Sequence, residues 1–325
     1  MKVAVLGAGA WGTALAVVLA SKGVPVGLWA RREALAEAML AARENRDYLP
    51  GVALPPYIQP TADAGEALEG AAFAVVAVPS KALRAVLADL PAAPAYVSAT
   101  KGLVAEGGAL RRVSEVIREV TGARRVAVLS GPNHAEEVAR FLPAATVVAS
   151  SDEGFAREVQ AAFTTPWFRV YTSRDLVGVE LGGALKNVIA LAAGMVDGLR
   201  LGDNARAALI TRGLREIVRF GVTQGAREQT FYGLSGVGDL IATATSLHSR
   251  NRSAGERLVR GLTLEALERE RQVVEGVYTV RALYDWSRAR GVELPITEAV
   301  YRVVYEKEDP IRALSALMGR ELKPE

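Results

Sequence analysis

"KVAVLGAGAWGTALAVVLASKG", Lys2 to Gly23, decides the fold. Its opening, "KVAVLG" (Lys2–Gly7), is apolar without polar alternation and reads as a strand buried on both faces. "GTALAVVLASKG" (Gly12–Gly23) reads as a helix that ends at a glycine. Between them lies "GAGAWG" (Gly7–Gly12), a G-x-G-x-x-G pattern. A Gly-rich turn alone is weak evidence, but one that follows a strand and opens a helix marks a dinucleotide-binding unit. Gly7 allows the tight turn, Gly9 lets the backbone approach a pyrophosphate, and Gly12 lets helix and strand pack closely. The anion would sit on the free N–H groups and the positive dipole end of the helix.

Outward from this unit the pattern repeats. "VPVGLWA" (Val24–Ala30), "FAVVAVP" (Phe73–Pro79), "AYVSAT" (Ala95–Thr100), "RVAVLSGP" (Arg125–Pro132), "AATVVAS" (Ala144–Ser150) and "WFRVYTS" (Trp167–Ser173) read as further strands, with helical patterns between them. "NRDYLPGVALPPYIQP" (Asn45–Pro60) reads as a rigid, Pro-rich loop. After about Val177 strand signals vanish, and Ala/Leu/Arg/Glu-rich helical patterns run from Glu180 to Arg320. The expected fold class is α/β: an N-terminal Rossmann-type, doubly wound, mostly parallel sheet over residues 1–178, then an all-α C-terminal domain over residues 179–325.

Composition narrows the function. Net charge is +3, from 39 basic and 36 acidic residues, with no basic stripe interleaved with aromatics, so no nucleic-acid partner is expected. There is no cysteine, which excludes disulfides, thiolate chemistry and Cys-based zinc sites. With only His134 and His248, no His-based metal site is expected either. No run of 18 apolar residues suggests a membrane span, and no basic head with a cleavage site suggests secretion, so a cytoplasmic protein is expected. The chain holds 7 Lys against 32 Arg. A lysine inside an apolar, Gly-rich motif therefore points to a need for an amine that can exchange its proton, which Arg cannot supply.

That lysine is Lys186, in "GALKNVIALAAG" (Gly183–Gly194). At helical spacing Val179, Gly182, Gly183, Lys186 and Ala190 share a face almost bare of side chains, so a ligand could approach beside the ammonium; the alternative is a glycine patch for helix packing. In a cleft, desolvation would lower the Lys186 pKa and Asp239 would counter that shift. Lys186 could then protonate a carbonyl oxygen as hydride reaches its carbon, and Asn187 could hold a neighbouring hydroxyl. "SATKGL" (Ser98–Leu103) places Lys101 directly after a strand. "SGPNHAEEV" (Ser130–Val138) places Gly131, Asn133 and Ala135 after another, where ligands of doubly wound sheets collect. His134 reads as a wall residue rather than a base. In "SRNR" (Ser249–Arg252) a fork-shaped Arg with a flanking amide, Arg250 and Asn251, suits a phosphate. At the end of the second strand Arg31 and Arg32 suit a 2′-phosphate, favouring NADPH/NADP, with NADH/NAD as a second cofactor; the alternative is a solvated turn with Glu33 on the ribose.

Taken together, "GAGAWGTALA", "LWARR", "AVPS", "SATKGL", "SGPNHAEEV", "GGALKNVIALAAGMVDGL", "GLSGVGDLIATATS", "SRNR" and "QVVEG" resemble the bacterial NAD(P)-dependent glycerol-3-phosphate dehydrogenases along essentially the whole chain. The resemblance implies reduction of dihydroxyacetone phosphate to sn-glycerol 3-phosphate, feeding glycerophospholipid synthesis, by a homodimer. It implies Lys186 as the catalytic proton donor and acceptor. It implies Lys101, Gly131, Asn133, Asp239, Ser249, Arg250 and Asn251 around the substrate. It implies Ala10, Trp11, Arg31, Arg32, Lys101, Ala135, Arg250, Val273 and Glu275 around the cofactor. His134 stands where the family often carries Phe. Two rival readings remain at this stage: a 3-hydroxyacid or 6-phosphogluconate-type dehydrogenase, and a nucleotide sensor without turnover.

Overall fold

The structure, a computed structural model, describes residues 1–106, 109–270 and 273–321; Gln272 of "QVVEG" and the last four residues of the expected 179–325 span lie outside them. Among the described residues the first half carries ten strands: β1 (Lys2–Leu6), β2 (Val26–Trp29), β3 (Ile58–Thr61), β4 (Ala71–Val76), β5 (Tyr96–Ser98), β6 (Leu103–Glu106), β7 (Ala109–Arg112), β8 (Val126–Ser130), β9 (Ala144–Ser150) and β10 (Phe168–Ser173). Among them run α1 (Ala10–Ser21), α2 (Glu33–Ala42), α3 (Ala64–Leu68), α4 (Leu83–Ala88), α5 (Val113–Thr121), α6 (Ala135–Val138) and α7 (Glu153–Phe163). The second half is helical: α8 (Leu176–Gly198), α9 (Gly202–Thr223), α10 (Asp239–Thr245), α11 (Arg250–Val259), α12 (Leu264–Glu268), α13 (Glu275–Arg290), α14 (Pro295–Tyr305) and α15 (Pro310–Met318).

Eight strands form one sheet in the order β10-β9-β8-β5-β4-β1-β2-β3. The chain leaves β1 for β2 on one side and returns to β4 on the other, so the crevice beyond the carboxyl ends of β1 and β4 is the topological switch point where ligands of such sheets bind. All pairings are parallel except β8 with β9. The sheet is thus mostly parallel, as expected, but its last two strands run against the others. Apolar strand content alone carries no direction, so the sequence could not show this reversal.

Two further departures from the sequence reading have local causes. The Pro-rich stretch contains β3, whose Pro60 is tolerated because β3 is the sheet edge. β6 and β7 form a separate antiparallel pair.

α8 is the axis of the helical half. By length and composition it could cross a bilayer, with a mean hydropathy of 1.5 over 18 residues, yet 94% of that window is buried inside the protein. It is apolar all round because it is surrounded by other helices. Its glycines explain how closely. A Cβ on Gly194 would overlap the Arg252 carbonyl, and one on Gly255 would overlap the Leu191 carbonyl. α8 and α11 therefore touch backbone to backbone, which brings Lys186 and the "SRNR" segment to the same place.

Candidate active site

A cleft of about 550 Å³ runs from the Gly7–Gly12 turn, along the ends of β4 and β5, to α8, α11 and the start of α13. The turn fits a dinucleotide. Gly7 has φ +116°, and a Cβ there would come within 2.8 Å of the Ala77 carbonyl oxygen. A Cβ on Gly9 would meet nothing within 4 Å, so the backbone there is open to the cleft. α1 has no side-chain cap and no acidic residue in its first turn, leaving its first N–H groups to an anion. The Trp11 indole nitrogen is buried without a protein partner. Asn45, in the stretch read as a loop, holds the turn by donating to the Ala8 carbonyl at 2.9 Å and to Thr13 Oγ1 at 2.8 Å.

At the other end lies the charged centre. The Lys186 ammonium donates to Asp239 Oδ1 at 2.6 Å and to Thr243 Oγ1 at 2.5 Å. The Lys101 ammonium donates to Asp239 Oδ2 at 2.9 Å and to the Gly131 carbonyl at 2.7 Å. Lys186 is 5% exposed and Asp239 1%. Burial pulls the Lys186 ammonium down to about 8, against the opposing pull of Asp239. Burial would push the Asp239 carboxyl up, but the two ammonium groups outweigh it and hold the carboxyl below its usual range. Two cations share one carboxylate, so the centre keeps a net positive charge facing the cleft.

The bare face of α8 does not make room for a ligand. A Cβ on Gly182 would stand 2.5 Å from the Ser235 carbonyl oxygen, and one on Gly183 would overlap the Ser130 hydroxyl. The glycines admit protein: the π-helical turn Leu234–Gly238 and the end of β8. Lys186 itself lines the cleft.

The amides are engaged differently from the sequence reading. Asn187 donates to the Lys101 carbonyl at 2.8 Å, and its oxygen accepts from Asn251 Nδ2 at 2.9 Å. Asn251 Oδ1 accepts from the Gly276 N–H at 2.8 Å. Asn187 is thus a brace for Lys101 before it is a hydroxyl ligand. Ser249 caps α11 by accepting from the Arg252 N–H at 3.2 Å. Arg250 lines the cleft and donates to the Val273 carbonyl at 3.2 Å. Arg252 faces away, paired with Asp197 at 2.7 Å. Asn133 donates to the Pro132 and Ala145 carbonyls, each at 2.9 Å, while its oxygen is buried without a partner. The His134 ring nitrogen lies 3.2 Å from the Ala242 carbonyl, and burial lowers its pKa, so it is a neutral wall residue.

Of the residues singled out from the sequence, Gly7, Gly9, Ala10, Trp11, Arg31, Arg32, Lys101, Asn133, Ala135, Lys186, Asn187, Ser249, Arg250, Asn251, Val273 and Glu275 share this cleft wall. Gly12, Gly131 and Asp239 stand behind it: Gly12 packs on Gly7, while Gly131 and Asp239 hold the lysines. Arg32 pairs with Asp47 at 2.9 Å and lies 5.8 Å from the Tyr48 ring centre. Glu33 sits in the first turn of α2 and is exposed. Thr243, Tyr48 and Lys81 also line the cleft and were not anticipated. The i, i+4 spacing of Asp239 and Thr243 on one helix could have revealed Thr243; nothing local marks Tyr48.

Comparison with known proteins agrees along the whole length. Residues 2–156 match the NAD-dependent glycerol-3-phosphate dehydrogenase N-terminus, and residues 175–315 match the C-terminus of the same family. A glycerol-3-phosphate dehydrogenase [NAD(P)+] of Thermus thermophilus is 68% identical over 325 residues, covering 100% of both chains. That of Deinococcus radiodurans is 55% identical over 321 residues, 99% of this chain and 96% of its own. The crystal structure of glycerol-3-phosphate dehydrogenase from Coxiella burnetii superposes with a TM-score of 0.93 at 39% identity, covering 98% of this chain and 99% of that one. With both halves matched in order and a dinucleotide turn facing a paired-lysine centre, the chain belongs to the NAD-dependent glycerol-3-phosphate dehydrogenase family.

Proposed function

We infer that the protein reduces dihydroxyacetone phosphate to sn-glycerol 3-phosphate with NADPH or NADH, supplying glycerophospholipid synthesis. The observation that carries this reading is the Lys186–Asp239–Lys101 cluster, set in the same cleft as the Gly7–Gly12 turn. The reduced nicotinamide supplies the hydride when bound. Lys186, with a pKa near 8, is protonated at neutral pH and close enough to its transition to release a proton to the carbonyl oxygen. Asp239 fixes the direction of that ammonium, and Lys101 adds positive charge where the oxygen becomes anionic. Arg250 and the start of α11 receive the substrate phosphate; a basic residue at a helix N-terminus is otherwise unfavourable, and a bound anion offsets it. Gly131, Asn133, Asn187, Ser249 and Asn251 shape this end. Ala10, Trp11, Arg31, Arg32, Ala135, Val273 and Glu275 shape the cofactor end.

A 3-hydroxyacid substrate would leave the Arg250 end of the cleft without a ligand, and a sensor would not need Lys186. The test mixes purified protein, NADPH and dihydroxyacetone phosphate and follows loss of the reduced nicotinamide absorbance. Oxidation of NADPH with dihydroxyacetone phosphate supports the reading; turnover confined to 3-hydroxyacids, or none, overturns it. The proposal extends to a division at residue 178/179, to a cytoplasmic location and to a homodimer. Sedimentation of the full chain at the mass of one copy would remove the last of these.

A further inference from the structure

One partly buried carboxylate at the cofactor end of the cleft, Glu275, is also held by protein partners whose purpose the roles above do not explain. Glu275 begins α13, and its Oε1 accepts from the Ser80 N–H at 2.9 Å while its Oε2 accepts from the Ser80 hydroxyl at 2.5 Å. Ser80 is 1% exposed and lies in the loop after β4, on the sheet side of the cleft. The fit leaves no slack: a Cβ on Gly102 would overlap Glu275 Oε2 and stand 2.7 Å from the Ser80 hydroxyl. Beside it the Lys81 ammonium donates to the Tyr278 hydroxyl at 2.8 Å, joining the same loop to the same helix.

The neighbour of Glu275 continues the connection. The Gly276 N–H is held by Asn251, Asn251 by Asn187, and Asn187 holds the Lys101 carbonyl. A Cβ on Gly276 would come within 2.7 Å of both the Asn187 carbonyl and Asn251 Oδ1. An unbroken line of hydrogen bonds and two peptide neighbours thus runs from Ser80 to the backbone of Lys101. Each link is buried or partly buried, where a hydrogen bond to a charged group is strongest and its loss is not repaired by water.

We propose that Ser80 is a positioning residue for the reduction: by clamping Glu275 it sets the start of α13 and, through the two asparagines, the placement of Lys101 against the substrate carbonyl. This rests on the assigned reaction, so its test is arranged to fail separately from it. Ser80→Ala removes one donor to a partly buried carboxylate and leaves the backbone donor. It is expected to lower kcat/KM for dihydroxyacetone phosphate about tenfold, which corresponds to about 1.4 kcal/mol. Its NADPH dissociation constant, read from tryptophan fluorescence, is expected to rise by less than kcat/KM falls, because the Ser80 N–H still holds Glu275 Oε1 at the cofactor end. Ser80→Thr keeps the hydroxyl and should restore kcat/KM. An Ala variant with unchanged kcat/KM overturns the proposal. So does a loss that Thr fails to restore, or one matched by an equal loss of NADPH affinity, which would mark a cofactor contact through Glu275, or of thermal stability, which would mark a merely structural one. A wild-type protein without turnover of dihydroxyacetone phosphate would sink the assigned reaction and leave the Ser80 clamp to be read from Lys101 geometry in a crystal structure of the Ala variant.

Discussion

Asp239 on α10 and Glu216 on α9 are both buried carboxylates, 1% and 6% exposed, with every oxygen engaged. Their partners differ. Glu216 accepts from the Ile296 N–H at 2.8 Å, the Thr297 N–H at 2.9 Å and the Thr297 hydroxyl at 2.5 Å, closing the N-terminus of α14. These donors are neutral, and burial pushes the Glu216 carboxyl above its ordinary range. Asp239 meets two ammonium groups and is held below its ordinary range. The neutral donors of Glu216 offset only part of the burial of its charge, whereas the two cations on Asp239 outweigh it. The contrast separates a carboxylate that holds a fold together from one that tunes the pKa of a buried amine. Glu180, braced by the Ser114 N–H at 2.7 Å and the Ser114 hydroxyl, has its pKa raised by burial even with one cation, the Arg112 guanidinium, at 3.6 Å.

The largest effect should come from the amine itself. Lys186→Ala is expected to lower kcat by about 10³-fold or more, as loss of a positioned general acid does, with NADPH still bound. Stopped-flow turnover and a fluorescence titration check both halves; a variant that keeps a tenth of the activity would put Asp239 back among the structural carboxylates. Asp239→Asn comes next, at about 10²-fold in kcat. It also carries a signed pH test. Reduction needs the protonated amine, so wild-type turnover should fall as pH rises through about 8. Asp239 raises the Lys186 pKa, so in the Asn variant that fall must begin at lower pH. A fall displaced to higher pH would contradict the pairing.

Glu216→Ala tests the other side of the contrast. It removes the cap of α14 and leaves buried donors unmatched, a loss of about 2 kcal/mol in stability. Denaturant unfolding should show this while kcat and its pH profile stay at the wild-type values. If kcat moved instead, the division between the two kinds of carboxylate would not hold.

The same contrast explains what the sequence made legible. Buried strands and the Gly7–Gly12 turn announce themselves because β-branched runs and glycine spacing are local signals. Lys186 stood out because an amine in a Gly-rich apolar segment conflicts with its surroundings, and Asp239 entered as the counter-charge such an amine would need. What was not legible depends on contacts between distant segments. The Gly182–Gly183 face could equally have admitted a ligand or the Ser235 backbone, and only the packing decides. Asn187 looks like a ligand residue until Asn251 and the Lys101 carbonyl, 64 and 86 residues away, are brought to it. The reversal between β8 and β9, and Pro60 inside β3, were hidden for the same reason.

The smallest predicted effect concerns the far end of the cleft, where charge meets water. Arg31 and Arg32 are exposed, unlike Lys186, so their attraction for a 2′-phosphate works in a high dielectric and is screened by salt. Arg32 is moreover already paired with Asp47 at 2.9 Å, so part of its charge is answered within the protein. Discrimination between NADPH and NADH should therefore be modest. Replacing both arginines by alanine is expected to lower kcat/KM for NADPH about tenfold and for NADH less than about twofold. Raising the salt concentration should erode the wild-type preference in the same direction, while leaving the Lys186 pH transition in place because that amine is buried beside its partner. A wild-type enzyme that strongly prefers NADH would overturn the assignment of these arginines to the 2′-phosphate. A preference for NADPH insensitive to salt would point instead to a desolvated contact that neither exposed guanidinium can make.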